Sequence, residues 1–199
     1  MSKHTLAAGA WQPKNSSNSS EGLAASVFAS RRTEILTLAL IGALVVVMHE
    51  SVNLPLKLPG HHGLEWMALL MFGRTISRET NAATLVALGA AATASAPLWP
   101  QHGSLLGLSY LLTGLAVDAL YRLFKRPGAV SLGVIAALAH TVKPLWKLAA
   151  VNGLGLQFGS ITAGAGFAVL CHLGFGLVGG VAGAIAGLAL RERLTRRQG

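Results

Sequence analysis

Apolar runs that alternate with basic ends constrain this chain more than any other feature. The first lies between Glu34 and Met48 and extends from Thr33 to Val52, about the 20 residues that a bilayer requires. Arg31 and Arg32 precede it. The second runs from His62 to Ser77 and is interrupted by Arg74. The third, Thr80 to Trp99, is rich in alanine and ends among prolines. The fourth is Leu105 to Phe124, with Asp118 near its end. The fifth, Ala129 to Trp146, contains His140, Lys143 and Pro144. The sixth lies within Ile161 to Leu190, a Gly/Ala-rich run long enough for a strongly tilted helix or one with extra turns. The expected fold is an all-α integral membrane protein of six transmembrane helices.

Composition agrees. The chain is 52% hydrophobic and 12% charged, half the roughly 25% charge of a soluble domain. Its 24 glycines supply the small surfaces by which helices approach one another in lipid. The basic residues separate by loop. Thirteen fall on one side of a six-span plan and only Lys57, Lys143 and Lys147 on the other, which puts both termini in the cytoplasm. That distribution also accounts for the net charge of +9 without nucleic acid. The single cysteine, Cys171, supports neither a disulfide nor a thiolate metal site. Residues 1–32 read as a polar, disordered cytoplasmic tail with no signal-peptide core, 33–190 as the membrane domain and 191–199 as a basic tail. The first apolar run is then expected to double as the insertion signal.

Ionisable groups at membrane depth are costly and point to function or to partners. They concentrate around Met48–Glu65, MHESVNLPLKLPGHHGLE, between the first two runs. His49 and Glu50 end the first span, and His61, His62 and Glu65 open the second. His61 and His62 stand four and three residues before Glu65, and Trp66 stands four after His62, so helical geometry puts them on one face. His140 and Lys143 occupy the outer half of the fifth span. Three readings fit the cluster: wet interfacial side chains with Glu65 favouring its helix dipole, contacts to a polar organic ligand on which Trp66 stacks, or imidazole and carboxylate ligands to a transition metal. Lys143 either snorkels outward or pairs with an anionic group. Asp118 and Arg122, four apart, are expected to pair, and Arg74 and Arg78 to face the cytoplasm, positioned for lipid phosphates or a partner subunit.

A six-helix chain of this length with cytoplasmic termini and the Ala39-x-x-x-Ala43 pair in its first span resembles the substrate-binding S component of an energy-coupling factor (ECF) transporter. The resemblance is one of plan and covers Thr33 to Leu190. It implies a pocket near the outer face of a bacterial or archaeal cell membrane, with the loop NLPLKLPG as lid. It implies a contact of Ala39 and Ala43 with a membrane coupling subunit, and a vitamin-like molecule or transition-metal ion as substrate. Metal subunits of the family open with a Met-His pair, whereas this chain opens Met1-Ser2-Lys3-His4. No Walker motif is present, so ATPase subunits would be separate chains. No cofactor is expected, and no nucleophile–base arrangement suggests an enzyme. The alternative is a non-transport membrane anchor or accessory subunit, with His140 and His172 as a candidate haem-ligating pair.

Overall fold

A computed structural model describes residues 28, 30–51, 58–97, 103–124, 127–154 and 164–196. Seven helices account for most of them: α1 (Arg31–Ser51), α2 (Gly63–Ile76), α3 (Ala82–Ala94), α4 (Gly103–Arg122), α5 (Ala129–His140), α6 (Val142–Leu154) and α7 (Ala165–Arg196). No strand occurs among the described residues. Most of the polar tail, residues 53–57 of the expected lid, Trp99 and the loop after α6 lie outside them, while Arg31 and Arg32, expected in the tail, belong to α1.

Three stretches are long and apolar enough to cross a bilayer: α1, the run Ala129–Ala150 made by α5 and most of α6, and α7. The chain is therefore a membrane protein. Helices α2 and α3, with 14 and 13 residues, are shorter than the about 20 residues of a full span. Leu36 and Leu40 on α1 are 65% and 68% exposed although apolar, so that face suits lipid or another apolar surface.

The helices pack as two interlocked groups. α3 lies between α1 and α4, and α7 lies between α2 and α5; α2 also touches α1 and α3. The shared core includes Leu38, Val45, Met67, Leu70, Met71, Val86, Tyr110 and Ile135.

Small residues set the spacing. A methyl group on Gly42 of α1 would stand 1.9 Å from the Val86 carbonyl oxygen of α3. One on Gly89 of α3 would stand 2.1 Å from that of Ala39. In α7 the glycines divide into two stripes. Gly179, Gly183 and Gly187 bring the helix against α2, and Gly176 and Gly180 bring it against α5. With no hydrophobic drive between helices in lipid, such close contact is a main source of association.

The fifth apolar run is not one regular helix. Pro144 has no N–H to offer the His140 carbonyl, and its ring crowds that oxygen. The chain tightens instead: the Thr141 N–H donates to the Leu138 carbonyl at 3.2 Å, and regular bonding resumes from the Leu145 N–H to the Thr141 carbonyl at 3.1 Å. The break places His140 at the end of α5 and Lys143 in the first turn of α6. α7, by contrast, continues for 32 residues, roughly 48 Å, and carries Arg191, Arg193 and Arg196 in its last turns.

At the end of the bundle that holds these arginines, the expected Asp118–Arg122 pair is replaced by contacts between helices. Asp118, 2% exposed, accepts from the α3 N–H groups of Ala83 at 3.2 Å and Thr84 at 2.8 Å, and from the Thr84 hydroxyl at 2.7 Å. It thereby caps α3 from α4. Asn81, at the N-cap position itself, makes no side-chain cap and accepts from Arg122 at 2.5 Å. Arg74 does not face solvent as expected: it is 7% exposed, with Nε 3.8 Å from Asp118 and its guanidinium 4.0 Å from the centre of the Tyr121 ring. Arg74 Nη1 donates to the Glu79 carbonyl at 2.7 Å. Glu34 accepts from the Ser77 hydroxyl at 2.5 Å and the Arg78 N–H at 2.8 Å. Arg31 hydrogen-bonds Glu79 at 2.5 Å and holds that carboxyl below its ordinary range.

Two substitutions test this packing. Gly183→Leu would drive a side chain into the Ala68 carbonyl 1.9 Å from the Cβ position and should cost about 1–3 kcal/mol or more. Gly174→Ala meets nothing within 4 Å and should leave the melting temperature in detergent unchanged or raised. Equal melting temperatures for Gly183→Leu and the parent protein would remove the proposed contact. Asp118→Ala should lower the same transition by the loss of a cap, about 1 kcal/mol, and further because Arg74 loses its nearest counter-charge.

Candidate functional site

The turn Leu58–His62 carries the site. The Pro59-Gly60 pair turns the chain, with Gly60 in the left-handed region at φ 77°, a conformation that favours glycine. The Gly63 N–H closes the turn on the Gly60 carbonyl at 2.7 Å. His61 is anchored by its Nδ1, 2.7 Å from the Leu58 carbonyl oxygen. His62 occupies the N-cap position of α2 without a side-chain capping bond, so its ring is available to neighbours.

Those neighbours come from distant parts of the chain. The His62 ring lies 3.9 Å, centre to centre, from both His49 at the end of α1 and His61. His140 and His172 lie 4.8 Å apart. Both of the latter are buried, at 1% and 8% exposure. The turn rests on them through its two glycines. A methyl group on Gly63 would stand 2.0 Å from His140 Nε2, and one on Gly60 would stand 2.6 Å from His172 Nδ1. His172 Nδ1 itself lies 2.7 Å from the Ala168 carbonyl oxygen, which orients its ring along α7.

A cavity of about 220 Å³ opens among these groups. Of the residues singled out in the sequence, His49, His62, His140 and Lys143 line it. Lys147 and His172 join them. Glu50, His61, Glu65 and Trp66 do not line it. Trp66 is 2% exposed, neither an interfacial anchor nor a cavity wall, and meets Tyr110 edge-on at 4.9 Å. Tyr110 links this layer to the cavity, because Lys143 Nζ lies 5.0 Å from its ring centre. Ala39 and Ala43 sit elsewhere, half-buried along α1, with the Ala39 backbone turned toward Gly89 of α3.

His62 Nδ1, Glu65 Oε1, Trp66 Nε1 and both ring nitrogens of His140 are buried without a hydrogen-bond partner among the described residues. The Gly60 backbone approaches the His140 ring but misses hydrogen-bond geometry. An unsatisfied buried polar group costs about 1–3 kcal/mol. Five at one end of one bundle mark a place where a polar ligand or water completes the bonding.

The arrangement bears on two of the chemistries expected from sequence. Among the described residues no group of three or more His, Cys, Asp or Glu side chains is placed to hold a metal ion. The His140 and His172 rings touch each other directly, whereas axial haem ligands stand on opposite sides of an iron. Organic-ligand contacts remain well served: imidazole edges and lysine amines surround one space.

No protein family, no curated protein and no solved structure matches this chain. Sequence reasoning missed Lys147, which reads as one of the outer charges, and Gly60 and Gly63, which read as ordinary turn residues; it singled out His172 only as a candidate haem ligand. The Pro-Gly-His-His-Gly string was the available signal, since its glycines are spaced to admit two imidazoles.

Gly63→Ala should displace His140 and disturb the cavity while leaving helix α2 intact. The expected signature is a shifted His140 ring resonance with unchanged circular dichroism. An unmoved resonance would show that the turn does not seat on that ring.

Proposed function

We propose that this chain is a membrane-embedded solute-binding subunit of the ECF importer type. It crosses the membrane six times with both termini on the arginine side and takes its solute from the histidine side. One observation carries the reading: six basic or imidazole side chains from α1, the Leu58–His62 turn, α5, α6 and α7 converge on one cavity. Residues more than 100 apart in sequence meet there only because the bundle folds.

The lining suggests the ligand. Two ammonium groups and four imidazoles suit a small organic molecule bearing a carboxylate or phosphate. The volume is below the roughly 300–1,000 Å³ of pockets that hold drug-sized ligands, so a compact solute fits best. The imidazoles supply both donors and acceptors, as their tautomers allow. In this reading the loop containing NLPLKLPG covers the solute, and a coupling subunit with its ATPases drives release on the arginine side. Ala39, Ala43 and the exposed apolar face of α1 would meet that subunit.

The test begins with native mass spectrometry of the purified protein, to identify a co-purified solute by mass. With that solute, His140→Ala and Lys143→Met should each weaken binding about tenfold or more, the loss expected for one buried or charge-assisted hydrogen bond. Melting curves verify that the variants fold. Parental affinity in both variants would reject the cavity as the binding site. Co-purification of a coupling membrane subunit and two ATPase chains from the native membrane tests the importer assignment separately, and their absence under mild extraction would reject it.

A further inference from the structure

A second cleft, of about 350 Å³, lies at the opposite end of the bundle, between the ends of α2, α4 and α7 and the start of α5. Arg74 and Arg191 are its charged lining residues, and no carboxylate joins them among the described residues. Arg74 is held in place. Its side chain is more than nine-tenths buried, stacked on Tyr121, with Nη1 bonded to the Glu79 carbonyl and Nε lacking a hydrogen bond. The nearest carboxylate, Asp118, is 3.8 Å behind it and already accepts from three α3 groups. Arg191 is exposed on the last turns of α7.

The remaining lining decides what kind of anion fits. The Thr75 hydroxyl donates to the Met71 and Phe72 carbonyls, and the Ser77 hydroxyl donates to Glu34. Neither of these hydroxyl protons is free for a phosphate, so recognition falls to the guanidinium groups and the Tyr121 phenol. Beside them stand Leu132, which is buried, and Leu188, which is 38% exposed on a helix that itself suits a membrane span. A free phosphate gains nothing from such apolar walls, whereas a lipid places its headgroup beside the arginines and its chains along Leu188.

We propose that this cleft binds the phosphate of an anionic phospholipid, with Arg74 as the fixed cation and Arg191 as the outer one. Basic pockets between helices at the positively charged face are suited to such headgroups, and a planar guanidinium matches a phosphate in two-pronged fashion. The site lies away from the histidine cavity and does not depend on the solute assignment.

The full chain, delipidated in detergent, is titrated with phosphatidylglycerol or phosphatidylcholine and the bound lipid counted by native mass spectrometry. The parent protein should retain one phosphatidylglycerol in preference to phosphatidylcholine. Arg74→Gln and Arg191→Gln should each reduce that preference about fivefold, the effect of one basic residue at an anionic surface. Arg191 is exposed, so its variant keeps the test open if Arg74→Gln fails to fold. Arg78→Gln, exposed and outside the cleft, should change nothing, and an equal loss there would reduce the effect to diffuse surface charge and overturn the proposal. Displacement of the lipid by excess inorganic phosphate would also overturn it, in favour of a free-phosphate site. Unchanged preference in Arg191→Gln would overturn it outright.

Discussion

Asp118 performs for helix α3 a task that the preceding residues leave undone. The first N–H groups of any helix lack internal partners, and in a membrane there is little water to supply them. Asn81 is placed to cap but engages Arg122 instead. The acceptor arrives from α4, where Asp118 takes two backbone N–H groups and the Thr84 hydroxyl. Its negative charge also meets the positive end of the α3 dipole. One side chain thus fixes the relative height of α3 and α4, and its neighbour Arg74 carries the constraint to α2. Each of these charges would be costly alone in an apolar bundle. Together they make the end of the molecule at which three helices are registered against one another.

From that fixed end, small residues transmit position along the bundle. Gly42 and Gly89 bring α1 and α3 into backbone contact, and the three α7 glycines facing α2 do the same over two turns. Contacts between backbones tolerate little sliding, because a methyl group more or less changes the fit. α2 is therefore held on one side through its arginine and on another through α7. Its first turn, with His62 and Glu65, is delivered to the opposite end of the molecule in a defined place. There the Gly60 and Gly63 contacts seat it on two imidazoles.

Much of this was legible in the sequence, and the omissions have physical causes. Apolar runs with basic ends imply helices, and each of the six runs contains one. The fifth run, with Pro144 inside it, is expected as a single span, and a proline near a histidine does not say whether the helix ends or bends. The structure shows a one-residue tightening at Thr141. Spacing of four suggested that Asp118 would meet Arg122, but a side chain on a packed helix chooses among partners on other helices, which spacing does not reveal. The same limit applies to the site. Of the eight candidate side chains legible in the sequence, His49, His62, His140 and Lys143 line the cavity, whereas Glu50, His61, Glu65 and Trp66 do not. His172 enters the sequence reading only as a haem partner of His140, because its position along a long apolar run does not show that α7 carries it to the turn.

The two ends of the bundle differ in how completely their polar groups are satisfied. At the arginine end, Glu34, Glu79 and Asp118 all have donors within hydrogen-bond distance, and Arg74 Nε is the one buried side-chain atom without a partner among the described residues there. At the histidine end, five buried polar atoms have none among the described residues. An assembly that must remain registered gains from the first condition, since broken bonds there have no replacement in lipid. Three of the five atoms at the histidine end, His62 Nδ1 and both ring nitrogens of His140, belong to residues that line the cavity, where a polar ligand or water completes the bonding. The break at Thr141 falls at the second end, where Lys143 and Lys147 follow it on a separate short helix. The helix break and the cavity therefore coincide in one place.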